Sequence, residues 1–183
     1  MRNLVIAKRY AKAMFNLAQE EGQIEQYGQE LDEFVRLFGE LPDFADAIQN
    51  PLYPEATRKS VFMAVADKVQ MSPIMLSFIS LLVEKKRVQN LGEIKEYYHK
   101  LIDEHANIAR ARIKAATPLD DQSIQNIAAS LEQMTGKKIA IEFEQDPELI
   151  GGVLAQIGDL VLDGSVRRQL LNIKESLKRG ELG

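Results

Sequence analysis

Over roughly the first hundred residues, apolar side chains recur at intervals of three and four, which is the spacing of one face of an α-helix. Glycine, proline and asparagine interrupt this pattern repeatedly and divide it into helical segments. Gly22 and Gly39 are placed to end helices, while Ser72 and Pro73 form an N-cap followed by a first-turn proline. The pattern predicts six helices joined by short loops, as in a helical bundle.

The pattern changes to alternation after about residue 106. The segments "ARARIKAA" and "KKIAIEFEQ" alternate charged with apolar residues, which is typical of half-buried strands. The segment between them predicts a helix, with Asp120 as its N-cap and Gly136 as its terminator. Two further strands and a closing helix capped by Ser165 complete the order β-α-β-β-β-α. The predicted fold class is therefore α+β: an N-terminal six-helix bundle over residues 1–106, then a small α+β domain over residues 107–183.

The segment "LIGGVLAQIGDLVLDGSV" (149–166) is rich enough in glycine to raise the question of a phosphate-binding loop. Such a loop precedes a helix, whereas here the first two glycines lead into a strand, and the lysine of a P-loop is missing. Gly158 and Asp159 separate the apolar runs "VLAQI" and "LVLD". This spacing predicts a two-residue type II′ hairpin turn. We interpret the segment as a structural motif of the C-terminal domain made by Gly151, Gly152, Gly158, Asp159, Asp163, Gly164 and Ser165.

The remaining residues do not form a recognisable catalytic constellation. The chain has no cysteine, and the spacing of His99 and His105 turns them to different sides of a helix, so we expect solvated histidines and neither metal nor cofactor. A general acid–base pair among the turn aspartates stays open, although nothing in the sequence supplies the raised pKa that it needs. The formal charge of −4 argues against a general nucleic-acid binder. The longest apolar run is about half as long as a bilayer crossing requires.

The first predicted helix carries more apolar residues than one buried face requires. One stripe consists of Leu4, Ala7, Ala11, Met14, Phe15 and Ala18. A second stripe, expected roughly opposite, consists of Ile6, Tyr10, Ala13 and Leu17, and on the fifth helix Ile74 and Leu81 lie beside the core face. Two explanations stay open: a helix buried at the centre of the bundle, or a groove that accepts an amphipathic partner helix.

Four segments resemble motifs of a known family. These are "AKRYAKAMFNLA" (7–18), "FISLLVEKKRVQNL" (78–91), "AATPL" (115–119) and "DPELIGGVLAQIGDLVLDGSVRRQL" (146–170). In this order they are similar to segments of the δ subunit of bacterial F-type ATP synthase, equivalent to the mitochondrial oligomycin-sensitivity-conferring subunit. Lys85, Leu160 and Arg168 depart from the residues common in the family, and these departures leave the glycines and the Asp-Gly-Ser turn of the fold in place.

The resemblance implies a non-catalytic stator subunit without a cofactor, present in one copy per complex. Its N-terminal domain would hold the N-terminal helix of an alpha subunit of the catalytic head, in a groove lined by Ile6, Tyr10, Ala13, Leu17, Ile74 and Leu81. Its C-terminal domain would contact the peripheral-stalk b subunits. It would lie at the cytoplasmic face of the bacterial plasma membrane and touch the membrane only through the complex, with no nucleic-acid partner.

Three other functions compete with this one: a soluble helical adaptor module that binds an amphipathic helix of another complex, an enzyme of small substrates, and a nucleic-acid-binding adaptor. An enzyme requires a convergent polar pocket, and a nucleic-acid adaptor requires a basic face.

Overall fold

The computed structural model describes residues 4–179. Its internal contacts divide the chain into two compact units, Met1–Ile102 and Asp103–Gly183. The domain boundary expected from the sequence, at residue 106, lies close to this division and stays a prediction about independent folding.

The first unit is built from helices. Their bounds are α1 Leu4–Glu21, α2 Ile24–Glu40, α3 Pro42–Gln49, α4 Glu55–Ala66, α5 Pro73–Glu84 and α6 Leu91–His105, with a short 3₁₀ turn at Val88–Asn90. The six α-helices that the sequence predicts for this half are confirmed within residues 4–105. None of the helices between residues 4 and 179 combines the length and apolar character that crossing a bilayer requires.

Several helix ends follow directly from local sequence. Gly22 adopts a φ of +68° after α1, and the Ser72 hydroxyl accepts a hydrogen bond from the Met75 N–H at 3.3 Å ahead of α5. The expected end of α2 at Gly39 is wrong, since α2 continues to Glu40. The residue before a proline is pushed out of the α region, so Pro42 ends α2 by forcing Leu41 to φ −116° and ψ 81°.

The core of the first unit is aromatic at its centre. The ring of Phe34 on α2 meets Phe44 of α3 and Phe62 of α4 edge-on, with ring centroids 6.0 and 5.7 Å apart. The hydroxyl of buried Tyr98 donates to the Ile24 carbonyl at 2.9 Å, which joins α6 to the start of α2. These contacts tie helices that are distant in sequence into one bundle.

The second unit combines helices with a four-stranded sheet. Its elements are β1 Ile108–Ala115, α7 Asp121–Thr135, β2 Lys138–Gln145, β3 Val153–Ile157, β4 Leu160–Asp163 and α8 Val166–Arg179. The strand order is β2-β1-β3-β4, with β1 parallel to β2 and antiparallel to β3. The predicted element order and the α+β class are confirmed.

Alternation along β1 sets the two faces of this sheet. Ala111, Ile113 and Ala115 are buried. Arg110 and Lys114 point to the other face and form ion pairs with the neighbouring strand, Arg110 Nη1 lying 3.5 Å from Glu142 Oε1. Positive and negative charges therefore alternate across the exposed face, which does not form the continuous basic surface that nucleic-acid binding would use.

Candidate partner-binding surface

The first apolar stripe of α1 supplies the core of the bundle. Ala7, Ala11, Met14, Phe15 and Ala18 are buried. Leu4, expected in the same stripe, begins the helix and is 53% exposed. A single stripe is thus enough to pack α1 onto the bundle.

The second stripe reaches the solvent. Ile6 and Tyr10 are half-buried on α1, while Ala13 and Leu17 are exposed. On α5, Ile74 is half-buried and Leu81 is exposed. Leu17 and Leu81 leave 44% and 40% of their area accessible, so α1 is not enclosed by the bundle on all sides. We call the set Ile6, Tyr10, Ala13, Leu17, Ile74 and Leu81 the α1–α5 surface.

The two stripes of α1 are neighbours rather than opposite, which corrects the expectation from the sequence. At about 100° per residue, their centres lie only about 120° apart around the helix. The Tyr10 ring meets Phe78 of α5 edge-on with centroids 6.3 Å apart. The second stripe therefore extends the core outward along the junction of α1 and α5. The Tyr10–Phe78 contact joins the α1 side of the α1–α5 surface to its α5 side.

Charged residues border the α1–α5 surface. At the end of α5, Lys85 Nζ lies 2.8 Å from Glu84 Oε1, and this hydrogen bond raises the pKa of Lys85. A partner on this surface would meet an apolar strip with a polar rim, the usual composition of an interface.

The glycine segment of the second unit is a place where two stretches of backbone touch. Gly152 has a φ of +82°, and a Cβ added there would lie 2.4 Å from the Gly164 carbonyl oxygen. The Gly164 N–H donates to the Val153 carbonyl at 2.9 Å, and the Val166 N–H donates to the Gly151 carbonyl at 3.0 Å. The space beside Gly152 is thus filled by the chain itself.

The two turns of this segment are organised by local hydrogen bonds. Gly158 has a φ of +56°, whereas the φ of Asp159 is not positive. These two residues connect the paired Ile157 and Leu160, and a positive φ at only the first of two turn residues gives the handedness of a type II′ turn. At the second turn, the Ser165 N–H donates to Asp163 Oδ1 at 3.0 Å, and hydrogen bonds from Ser165 lower the pKa of Asp163.

Ser165 also caps α8, because its hydroxyl accepts a hydrogen bond from the Arg168 N–H at 3.2 Å. The aspartate and the serine are therefore both engaged with backbone at the start of this helix.

Two polar contacts between helices have no sequence signal. His99 Nε2 lies 2.7 Å from Asp32 Oδ1, so the expectation of a merely solvated histidine is wrong for His99, which joins α6 to α2. Arg58 is buried in α4, where its guanidinium donates to the Val83 carbonyl at 3.1 Å. Their partners are distant in sequence, so periodicity could not reveal them. Among the residues that the structure describes, no group of three or more acidic or histidine side chains is placed to hold a metal ion.

Comparison with known proteins gives consistent results. The family model of the ATP synthase delta (OSCP) subunit matches residues 6–177. The ATP synthase subunit delta of Syntrophobacter fumaroxidans is 66% identical over 183 residues and covers all of both chains, and that of Desulfosudis oleivorans is 46% identical over 181 residues, 99% of each. A chain in the cryo-EM structure of the Toxoplasma gondii mitochondrial ATP synthase hexamer shares the fold, with a TM-score of 0.63 at 20% identity over 93% of this chain and 96% of that one.

Proposed function

The chain belongs to the family of ATP synthase delta (OSCP) subunits, and on that premise we propose that it links the catalytic head of an F-type ATP synthase to its peripheral stalk. A delta subunit is a structural component of the stator, and the catalytic subunits are others. The proposed role is to hold the head so that it does not turn with the rotor. The observation that carries the proposal is the apolar area that Leu17 of α1 and Leu81 of α5 leave exposed to solvent on the α1–α5 surface.

The α1–α5 surface would receive the N-terminal helix of an alpha subunit. Its apolar residues come from two helices joined by the Tyr10–Phe78 contact, an arrangement suited to an amphipathic helix lying along the junction. Ala13 is the smallest side chain on the surface and would let the partner helix approach closely. Burying the exposed remainder of Leu17 and Leu81 against a partner would add apolar area at about 25 cal/mol per Å².

The second unit would contact the peripheral-stalk b subunits. In this proposal the chain is present once per complex and binds no nucleic acid. It lies at the cytoplasmic face of the bacterial plasma membrane and meets the membrane only through the complex. Support comes from family membership and from relatives that are bacterial ATP synthase subunits over their whole length.

The test of the alpha-subunit site is calorimetric titration with a synthetic peptide of the alpha N-terminal residues encoded in the same genome. We expect Ala13→Asp to weaken binding by several kcal/mol, since a partner would have to bury an unpaired charge. Asn16→Asp is the matched control, because it adds the same charge at an exposed position of α1 outside the α1–α5 surface.

Circular dichroism establishes that both variants fold, as Ala13 and Asn16 are exposed. Unchanged affinity of Ala13→Asp would rule out the α1–α5 surface. Equal affinity for an unrelated amphipathic peptide would favour the general helical adaptor instead of the stator subunit.

A further inference from the structure

Helix α5 is apolar on so many sides that its own sequence barely specifies which side is buried. Its sequence is PIMLSFISLLVE, in which two serines and one glutamate are the only polar residues. At about 100° per residue, a rotation of the helix by about 60° would bury Ile74 and Leu81. The same rotation would expose Ile79 and Val83, which are fully buried in the structure. Because the exchanged side chains are similar in size, buried apolar area hardly distinguishes the two orientations.

The start of α5 is held by a carboxylate from α2. Glu30 Oε2 accepts a hydrogen bond from the Ser72 N–H at 3.0 Å and another from the Ser72 hydroxyl at 2.7 Å. Because the hydroxyl proton is donated to Glu30, a lone pair of the same oxygen is left for the Met75 N–H, which donates to it at 3.3 Å. Glu30 therefore fixes the N-cap of α5 in position relative to α2.

The end of α5 is held by a guanidinium from α4. Arg58 is 3% exposed, and its Nη1 donates to the Val83 carbonyl at 3.1 Å. The same carbonyl also accepts a hydrogen bond from the Lys86 N–H at 3.2 Å. Arg58 Nε has no hydrogen-bond partner among the residues that the structure describes. The backbone of α5 is thus satisfied without Arg58, and the burial of this cation costs stability.

The two side chains also complement the dipole of α5. A helix carries partial positive charge at its N-terminus and partial negative charge at its C-terminus. Helix α5 has no acidic residue in its own first turn and no basic residue in its last, so Glu30 and Arg58 supply these charges from other helices. A rotation of about 60° on a cylinder of radius about 2.3 Å moves a backbone atom by about 2 Å, which would break both contacts.

We propose that Glu30 and Arg58 are positioning residues for the α1–α5 surface, because they hold α5 in the rotation that presents Ile74 and Leu81 to the partner helix. This inference rests on the proposed function and deepens it by naming two residues that act on the surface from outside it. Without either residue, a smaller fraction of the chains holds α5 in the binding orientation. The apparent dissociation constant of the alpha N-terminal helix rises by the reciprocal of that fraction.

The test compares the affinity of the full chain for the alpha N-terminal peptide with the thermal stability of the free chain. We expect Arg58→Met to weaken binding about tenfold, which corresponds to about one chain in ten with α5 in the binding orientation. Its melting temperature should stay the same or rise, because methionine fills the space without burying a charge. Arg58→Lys keeps a cationic donor and should bind within about twofold of the unchanged chain.

Glu30→Ala tests the other end of α5 and should also weaken binding about tenfold. Glu33→Ala is its matched control, since it removes an exposed carboxylate one turn further along α2 and should leave the affinity unchanged. Phe44→Leu is the control for stability. It replaces a ring that meets Phe34 edge-on in the core, and it should lower the melting temperature without changing the affinity at a temperature where the chain is folded.

Normal binding by Arg58→Met or by Glu30→Ala would overturn the role of that residue and leave the α1–α5 surface in place. A lower melting temperature of Arg58→Met would show that Arg58 stabilises the bundle, and an equal loss of affinity in Arg58→Lys would show that the cationic donor does not matter; either result overturns its assignment. A loss of affinity in Phe44→Leu would show that any destabilisation weakens binding and would overturn the inference as a whole. No binding of the peptide to the unchanged chain would overturn the proposed alpha-subunit site together with this inference.

Discussion

Replacing Gly152 with alanine should selectively destabilise the second unit. The new Cβ would lie 2.4 Å from the Gly164 carbonyl oxygen and 2.9 Å from the Ser165 Cα, both backbone atoms that cannot rotate away. The φ of +82° adds about 1–2 kcal/mol for any residue with a Cβ. Forcing the two strands of backbone apart adds about 1–3 kcal/mol. The expected loss is therefore about 2–5 kcal/mol, a large part of the stability of a small domain.

The measurement is amide hydrogen exchange resolved by peptide, because the chain has two units and no tryptophan to report on either one. Amides of β1 should exchange about 30- to 4,000-fold faster in Gly152→Ala, since each 1.4 kcal/mol is a factor of ten. Amides of α2 in the first unit serve as the internal reference and should keep their protection.

Gly136→Ala separates the two causes. Gly136 also has a positive φ, at +67°, but a Cβ there would meet no atom within 4 Å, so only the conformational cost applies. If Gly152→Ala loses no more protection than Gly136→Ala, the backbone contact with Gly164 does not stabilise the unit and the reasoning fails.

Three further predictions concern the first unit. A fragment of residues 1–106 should melt cooperatively by circular dichroism, because its core cluster contains no residue of the second unit; a molten or aggregating fragment would contradict the boundary. Lys86→Gly should raise the free energy of unfolding by about 0.5–1 kcal/mol, since Lys86 holds a φ of +55° at the end of α5; a lower urea midpoint would contradict this. The hydrogen bond to Glu21 raises the pKa of Tyr27 to about 12, against about 10 in the unfolded chain. The stability associated with its neutral hydroxyl is therefore complete below pH 10 and is lost as the pH rises towards 12. Urea titrations across this range should show the unchanged chain losing stability relative to Tyr27→Phe, and parallel curves would refute the assignment.

Local chemistry explains which features of the fold were predictable. Ser72, Asp120 and Gly136 act on backbone groups within a few residues, so their capping roles can be inferred from the chain alone. Lys86 and Gln70 adopt left-handed φ values that their residue types do not indicate, because the surrounding fold imposes them. The His99–Asp32 pair depends on how α6 packs against α2, and no short segment of sequence contains that information.

The sequence predicts which residues share the α1–α5 surface, but it does not predict how exposed they are or which side chains they contact. Periodicity placed Ile6, Tyr10 and Leu17 on one stripe of α1, because spacing fixes which residues share a helix face. It could not give the degree of exposure or the neighbour across the junction, which depend on where α5 packs. The Tyr10–Phe78 contact identifies the neighbour across the junction, and the exposed area of Leu81 gives the degree of exposure.

The position of β1 has a mechanical consequence. Tension passed along the chain from α6 enters the sheet at β1, which is bonded to β2 on one side over the register Ile108↔Lys138 to Ala115↔Gln145 and to β3 on the other. A pull along this strand must shear both ladders at once. A pull on α8 enters instead at β4, an edge strand paired only with β3, where hydrogen bonds can open one after another. The second unit therefore resists force far better at its entry than at its exit.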